Sequence, residues 1–96
     1  MKVVYTLNVR SDLRAISAYL RERNPVAAKA VVRAIEQRIN RLADFPEAGP
    51  VTDDPPAQEL SIRAYPYKVY YEISGPHVWI LNIHHTSRLP WRSGAR

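Results

Sequence analysis

Apolar positions recur at helical spacing in the first half of the chain and alternate in the second. Leu13, Ile16, Tyr19 and Leu20 form one stripe, while Arg14, Arg21, Glu22 and Arg23 fall mostly elsewhere on the wheel. Asn8 or Ser11 is placed to cap this helix, with Asp12 in its first turn, where the helix dipole favours an anion. Asn24-Pro25 then predicts a sharp restart, since asparagine caps well and proline at the first helical position loses no hydrogen bond. The second helix carries Ala28, Val31, Val32, Ile35, Ile39 and Leu42 on one side and Lys29, Arg33, Arg38 and Arg41 on much of the rest. Phe45-Pro46 and Gly49-Pro50 stop it. Two amphipathic helices joined this tightly predict an antiparallel helical hairpin.

The β-branched run from Val3 to Leu7 predicts a strand ahead of the hairpin, and three more follow it: Glu59 to Arg63, Tyr67 to Ile73, and Val78 to His85. Ser74-Gly75-Pro76-His77 joins the last two as a hairpin turn. Tyr67, Val69, Tyr71 and Ile73 share one face of their strand, and Lys68, Tyr70 and Glu72 the other. The last strand is apolar on both faces, with Val78 and Ile80 on one and Trp79, Leu81 and Ile83 on the other, so it is expected to be central. The predicted fold is α+β, β-α-α-β-β-β, an antiparallel sheet packed against an N-terminal helical hairpin. It forms a single domain over residues 1–96 with a basic tail from 88 to 96. The helices cover one face of the sheet, so apolar residues on the other must meet loops or a partner.

Composition narrows the chemistry. Fourteen Lys and Arg against nine Asp and Glu give a net charge of +5, which favours an acidic partner. The absence of cysteine removes disulfides, thiolate metal sites and thiol nucleophiles together. No apolar run approaches the roughly 20 residues of a membrane span, and the start lacks a signal peptide's apolar core. A small cytoplasmic domain is the expectation. One segment runs against the overall charge: the loop from Pro46 to Ala57 carries Glu47, Asp53 and Asp54, and no Lys or Arg.

Three histidines raise the question of a metal. His84 and His85 are strand neighbours and point to opposite faces, and His77 sits at the far end of the same strand, so no metal site is expected. No phosphate-binding loop, dinucleotide fingerprint or nucleophile elbow occurs. The segment from His84 to Arg92 combines an imidazole, arginines and an indole. Such a set could cleave RNA, with a base for the ribose 2′-OH, a cation for the phosphate and an aromatic for a nucleobase. The same residues could grip an acidic protein, or be a half-buried sheet end and a solvated terminus. Arg63 and Lys68 could approach His85 across the sheet, and Glu59 is either a general base or an edge-strand charge. The helix arginines Arg14, Arg21, Arg33, Arg38 and Arg41 form a solvated face or an acidic-partner surface.

In order along the chain, four stretches resemble the RelE/ParE superfamily of toxins from bacterial type II toxin–antitoxin systems. They are Asp12-Leu13 with Ile16 and Tyr19-Leu20; Asn24-Pro25 with Ala27-Ala28, Val32, Ile35, Ile39, Leu42, Phe45-Pro46 and Gly49; Glu59-Leu60 with Tyr67 to Ile73; and Val78, Ile80-Leu81, Ile83, His85 and Arg88. The resemblance implies a toxin without cofactor, held inactive by a ParD-like antitoxin whose extended acidic segment wraps over helices and sheet. It offers Arg14, Arg21, Arg33 and Tyr70 as antitoxin contacts and Arg88, Trp91 and Arg92 as target contacts. RelE-like members cleave messenger RNA on the ribosome, which would make His85, Arg88 and Arg63 catalytic; ParE-like members poison DNA gyrase without nuclease chemistry. Gln58 and Lys68 stand where arginine is common among relatives, and an acidic loop is the wrong sign for an RNA phosphate. Asn24-Pro25 and Ala27-Ala28 likewise resemble ParE more than RelE. The expectation is a ParE-like gyrase inhibitor. The alternatives are a RelE-like endoribonuclease and a non-toxic nucleic-acid-binding domain.

Overall fold

The computed structural model describes residues 1–52 and 57–86. Its elements follow the predicted order: β1 (Lys2–Tyr5), α1 (Leu7–Arg21), α2 (Pro25–Asn40) extended by a 3-10 turn (Arg41–Ala43), β2 (Gln58–Ile62), β3 (Tyr67–Ser74) and β4 (His77–His85). The sheet runs β1-β4-β3-β2. The hairpin of α1 and α2 covers one face of it. Among the described residues no helix is long and apolar enough to cross a membrane.

The α+β architecture is as predicted, and the sheet is mixed. β2, β3 and β4 pair antiparallel, while β1 lies parallel to β4, with Val3 opposite Val78 and Tyr5 opposite Ile80. The whole helical hairpin and two strands separate β1 from β4 in the chain, and the two pair parallel. β4 is central, between β1 and β3, as its two apolar faces indicate.

The core lies between helices and sheet. Val9, Ile35, Ile39, Val69, Tyr71, Val78 and Ile80 are fully buried, and the α2 stripe of Ala28, Val31, Ile35, Ile39 and Leu42 supplies most of the helical side. One face assignment changes. A bulge on β4 sets Tyr70 opposite Asn82 but Tyr71 opposite Ile80, so Leu81 has no opposite residue. The extra residue reverses the alternation, and Ile83 joins Val78 and Ile80 in the core instead of sharing a face with Trp79.

The start of α1 also differs from expectation. Thr6 is the cap, its Oγ1 accepting from the Val9 amide at 3.2 Å, and Leu7, expected in the strand, opens the helix. Asn8 and Asp12 have another task. β1 ends at Tyr5, opposite Ile80, so among the described residues no strand lies along the rest of that edge of β4. Side chains of α1 take over the exposed ladder groups. Thr6 Oγ1 donates to the Ile80 carbonyl (2.6 Å), Asn8 Nδ2 donates to the Leu81 carbonyl (2.8 Å), and Asp12 Oδ2 accepts from the Ile83 amide (2.9 Å) and from Asn82 Nδ2 (3.3 Å). The second helix starts as predicted, with Asn24 Oδ1 accepting from the Ala27 amide at 3.1 Å and Pro25 in the first turn.

Burial raises the Asp12 carboxyl above the ordinary carboxylate range, with the Ile83 amide and the nearby His84 pulling the other way. A raised carboxyl pKa means that the folded chain holds its proton more tightly than the unfolded chain does. This group's contribution to stability therefore declines as pH rises from the unfolded to the folded pKa, and is flat above it. Asp12→Asn keeps an oxygen for both donors and carries no charge. It is expected to gain in stability relative to the unaltered chain as pH rises through that window. Asp12→Ala strands the Ile83 amide and should cost about 2 kcal/mol. Urea unfolding from about pH 3 to about pH 7 checks both.

Candidate functional site

His85 closes β4 directly opposite Tyr67, and the two rings meet edge-on with centroids 5.2 Å apart and planes at 87°. The Thr86 amide donates to the Pro66 carbonyl at 2.8 Å, which fixes the strand end against the turn between β2 and β3. Tyr67 shares its face with Val69 and Tyr71, so His85 lies on the helix side of the sheet. His84, opposite Lys68, lies on the other side, as strand alternation requires.

Glu59 does not join His85. It is paired in register with Tyr70 on the outer face, and its carboxylate holds Lys68 Nζ at 3.0 Å. The hydrogen bond to Glu59 and the charge behind it push the Lys68 ammonium pKa up. Glu59 and Lys68 thus engage one another across the sheet from the histidine. Arg63, expected on a strand, is exposed in the turn that follows β2. Of the residues offered for ribonuclease chemistry, His85 and Arg63 share one end of the sheet, Glu59 is on the opposite face, and Arg88 lies outside the described residues.

The residues offered for antitoxin contact are dispersed. Arg14 and Arg21 are exposed on α1, two turns apart, and Arg33 is exposed on α2. Tyr70 is buried on the outer face of β3, with only 4% of its surface exposed. Trp91 and Arg92, like Arg88, lie outside the described residues, as do Asp53 and Asp54 of the acidic loop. Among the described residues, no three His, Asp or Glu side chains come together as a metal-binding group.

A concave region that the sequence did not single out lies between the end of α2 and β2. A cleft of about 450 Å³ is bounded by Arg38, Arg41, Leu42, Phe45, Ala48 and Leu60, among others. Two further hollows, of about 560 and 210 Å³, continue from Arg38 towards Arg63 on either side. Arg38 reaches across from the helix, Nη2 donating to the Ser61 carbonyl at 3.2 Å, while its Nε is buried with no partner among the described residues. In sequence, Arg38 and Arg41 are two more cations on a basic helix. Their spacing of three places both on one face, and only the packing of α2 against β2 shows what that face meets.

Residues 3–90 match the family described as ParE toxin of type II toxin-antitoxin system, parDE. A relative named Toxin RelE2, from Caulobacter vibrioides, is 31% identical over 92% of this chain and 98% of its own length. A second, Putative toxin Y4kP from Sinorhizobium fredii, is 32% identical over 88% of this chain and 86% of its own. Among solved structures, one titled as the chromosomal ParDE TA system from P. aeruginosa superposes with a TM-score of 0.81. It covers 88% of this chain and 95% of that one, at 23% identity, and so supports the fold.

Proposed function

The chain belongs to the ParE toxin family of type II toxin–antitoxin systems, and from that premise we propose that it arrests growth in the cytoplasm by trapping DNA gyrase, without nuclease chemistry of its own. A ParD-like antitoxin encoded beside it holds it inactive. One observation carries the choice against RNA cleavage. The carboxylate that could act as base, Glu59, is held by Lys68 on the face of the sheet away from His85. A base and an acid for in-line attack on one phosphodiester must converge on it from within hydrogen-bonding reach. His85 packs edge-on against Tyr67 and serves the sheet end. Target contact falls to the basic tail, with Arg88, Trp91 and Arg92 as its cations and anchor.

Purified toxin incubated with gyrase, supercoiled plasmid and ATP is expected to yield linear DNA after detergent and protease treatment. His85→Ala should give the same yield and the same growth arrest on induction. No linear DNA from the folded chain, together with loss of growth arrest in His85→Ala, would move the target to messenger RNA. Harmless expression without an antitoxin would sink both toxin readings.

A further inference from the structure

We infer that the hollow between the end of α2 and the turn after β2 binds a compact phosphate ligand, either inorganic pyrophosphate or the phosphate tail of a nucleotide. The inference does not depend on the choice of target above. The hollow encloses about 560 Å³, a size that suits a small-molecule site. Among the described residues no carboxylate lines it. Glu47 and Glu59 border the neighbouring hollows, where Gln58 holds the first and Lys68 the second.

The polar lining is rich in donors. Three guanidinium groups come to it from separate elements: Arg38 from α2, Arg41 from the 3-10 turn and Arg63 from the turn after β2. None of the three has a carboxylate within ion-pair distance among the described residues. The Nε of Arg38 is buried without a partner among those residues, although a buried N–H donor normally has one. Asn40 adds a further donor, and its orientation is set from outside the hollow. The Tyr5 hydroxyl donates to Asn40 Oδ1 at 2.7 Å, which leaves the Nδ2 end for a ligand. Burial pushes the Tyr5 phenol up to about 12, with Glu36 adding to the effect, so the hydroxyl stays a donor through the neutral range. Glu36 is the one acid of α2, and it does not line the hollow.

Cations at the end of a helix often do no more than balance its dipole. That role covers Arg38 and Arg41. It does not cover Arg63, which belongs to another element, or the buried Nε of Arg38. Three like charges around one hollow repel each other, and an anion placed among them reverses the sign of the interaction. Phosphate suits this donor set better than carboxylate, since it brings more charge and a third acceptor oxygen. A compact ligand suits it better than a nucleic-acid strand, which would meet Glu47 and Glu59 on leaving the hollow along the cleft.

The test titrates the full chain by calorimetry at about 0.15 M salt with inorganic pyrophosphate, with ATP and with a short DNA duplex. Pyrophosphate is expected to bind. Arg41→Gln combined with Arg63→Gln, both exposed positions, should weaken it about 100-fold. Asn40→Ala changes no charge and should weaken it about tenfold. Arg14→Gln with Arg33→Gln removes the same charge elsewhere on the helices and should change it less than about threefold. Equal affinity for pyrophosphate and ATP supports a site for the phosphates alone, and tighter binding of ATP supports a nucleotide site. The inference is overturned if neither binds at about 1 mM, or if duplex DNA alone binds. It is also overturned if the two arginine pairs weaken binding equally, the mark of general attraction to a basic chain. Should Asn40→Ala fail to fold, the comparison of the arginine pairs decides alone.

Discussion

Gly49→Ala is expected to destabilise the fold by about 3 kcal/mol, lowering the melting temperature by roughly 12–24 °C for a chain of this length. A Cβ at this position would come within 2.4 Å of the Glu59 carbonyl oxygen and 2.8 Å of its carbon, with Tyr71 Cε1 at 3.0 Å. The first two are backbone atoms of a strand and cannot turn aside. The glycine is required by a close approach: the segment from Pro46 to Thr52 is pressed against β2, with Glu59 donating to Pro50 and Thr52 donating to Ala57. To admit the methyl group the segment must lift, breaking those bonds and exposing Leu60. Thermal unfolding followed by circular dichroism measures the loss. A drop of less than about 1 kcal/mol would mean that the segment yields cheaply and is not a fixed part of the core.

Periodicity was a reliable guide wherever one face of an element meets one layer. The α2 stripe is buried as read except at Val32, which is half-buried, and Asn24-Pro25 starts the helix as its chemistry dictates. It failed where tertiary contacts compete with local preference. Thr6 reads as a β-branched strand residue, yet its hydroxyl accepts from Val9 and donates to Ile80, which turns the chain into α1 there. Asp12 reads as a first-turn anion, yet it completes the edge of β4. The bulge at Leu81 carries no glycine or proline to announce it, so the placement of Ile83 had to await the structure.

The candidate site was legible as a set of residue types and not as an arrangement. His85 and Arg63 do share an end of the sheet. Glu59 and Lys68 were both noted, but register decides that they pair with one another instead of serving the histidine. The parity of a strand can be read from sequence; the partner that each face meets cannot. The same limit hid the cleft at Arg38. Three arginines from two elements become one surface only after α2 is laid against β2.

Tyr71→Phe is expected to cost about 2–3 kcal/mol and Tyr71→Ala about 4–5 kcal/mol, and the difference separates the hydroxyl from the ring. The ring is fully buried among the core side chains. Its hydroxyl donates to the Pro46 carbonyl at 2.7 Å and accepts from the Gly49 amide at 2.9 Å and from Gln58 Nε2 at 3.3 Å. Burial pushes the phenol pKa up, the Gly49 amide pulling against it, so the group stays protonated and able to donate through the neutral range. Phenylalanine leaves the Gly49 amide and the Pro46 carbonyl without that partner, while Gln58 retains the Gly49 carbonyl at 2.7 Å. Because Gly49 and Tyr71 hold the same segment, their effects should not add. Once Gly49→Ala has lifted the segment, the hydroxyl has lost its partners, and the added cost of Tyr71→Phe should fall below about 1 kcal/mol. A double-mutant cycle by urea unfolding reads this directly. Full additivity would mean that the hydroxyl stabilises the core independently of the loop it touches.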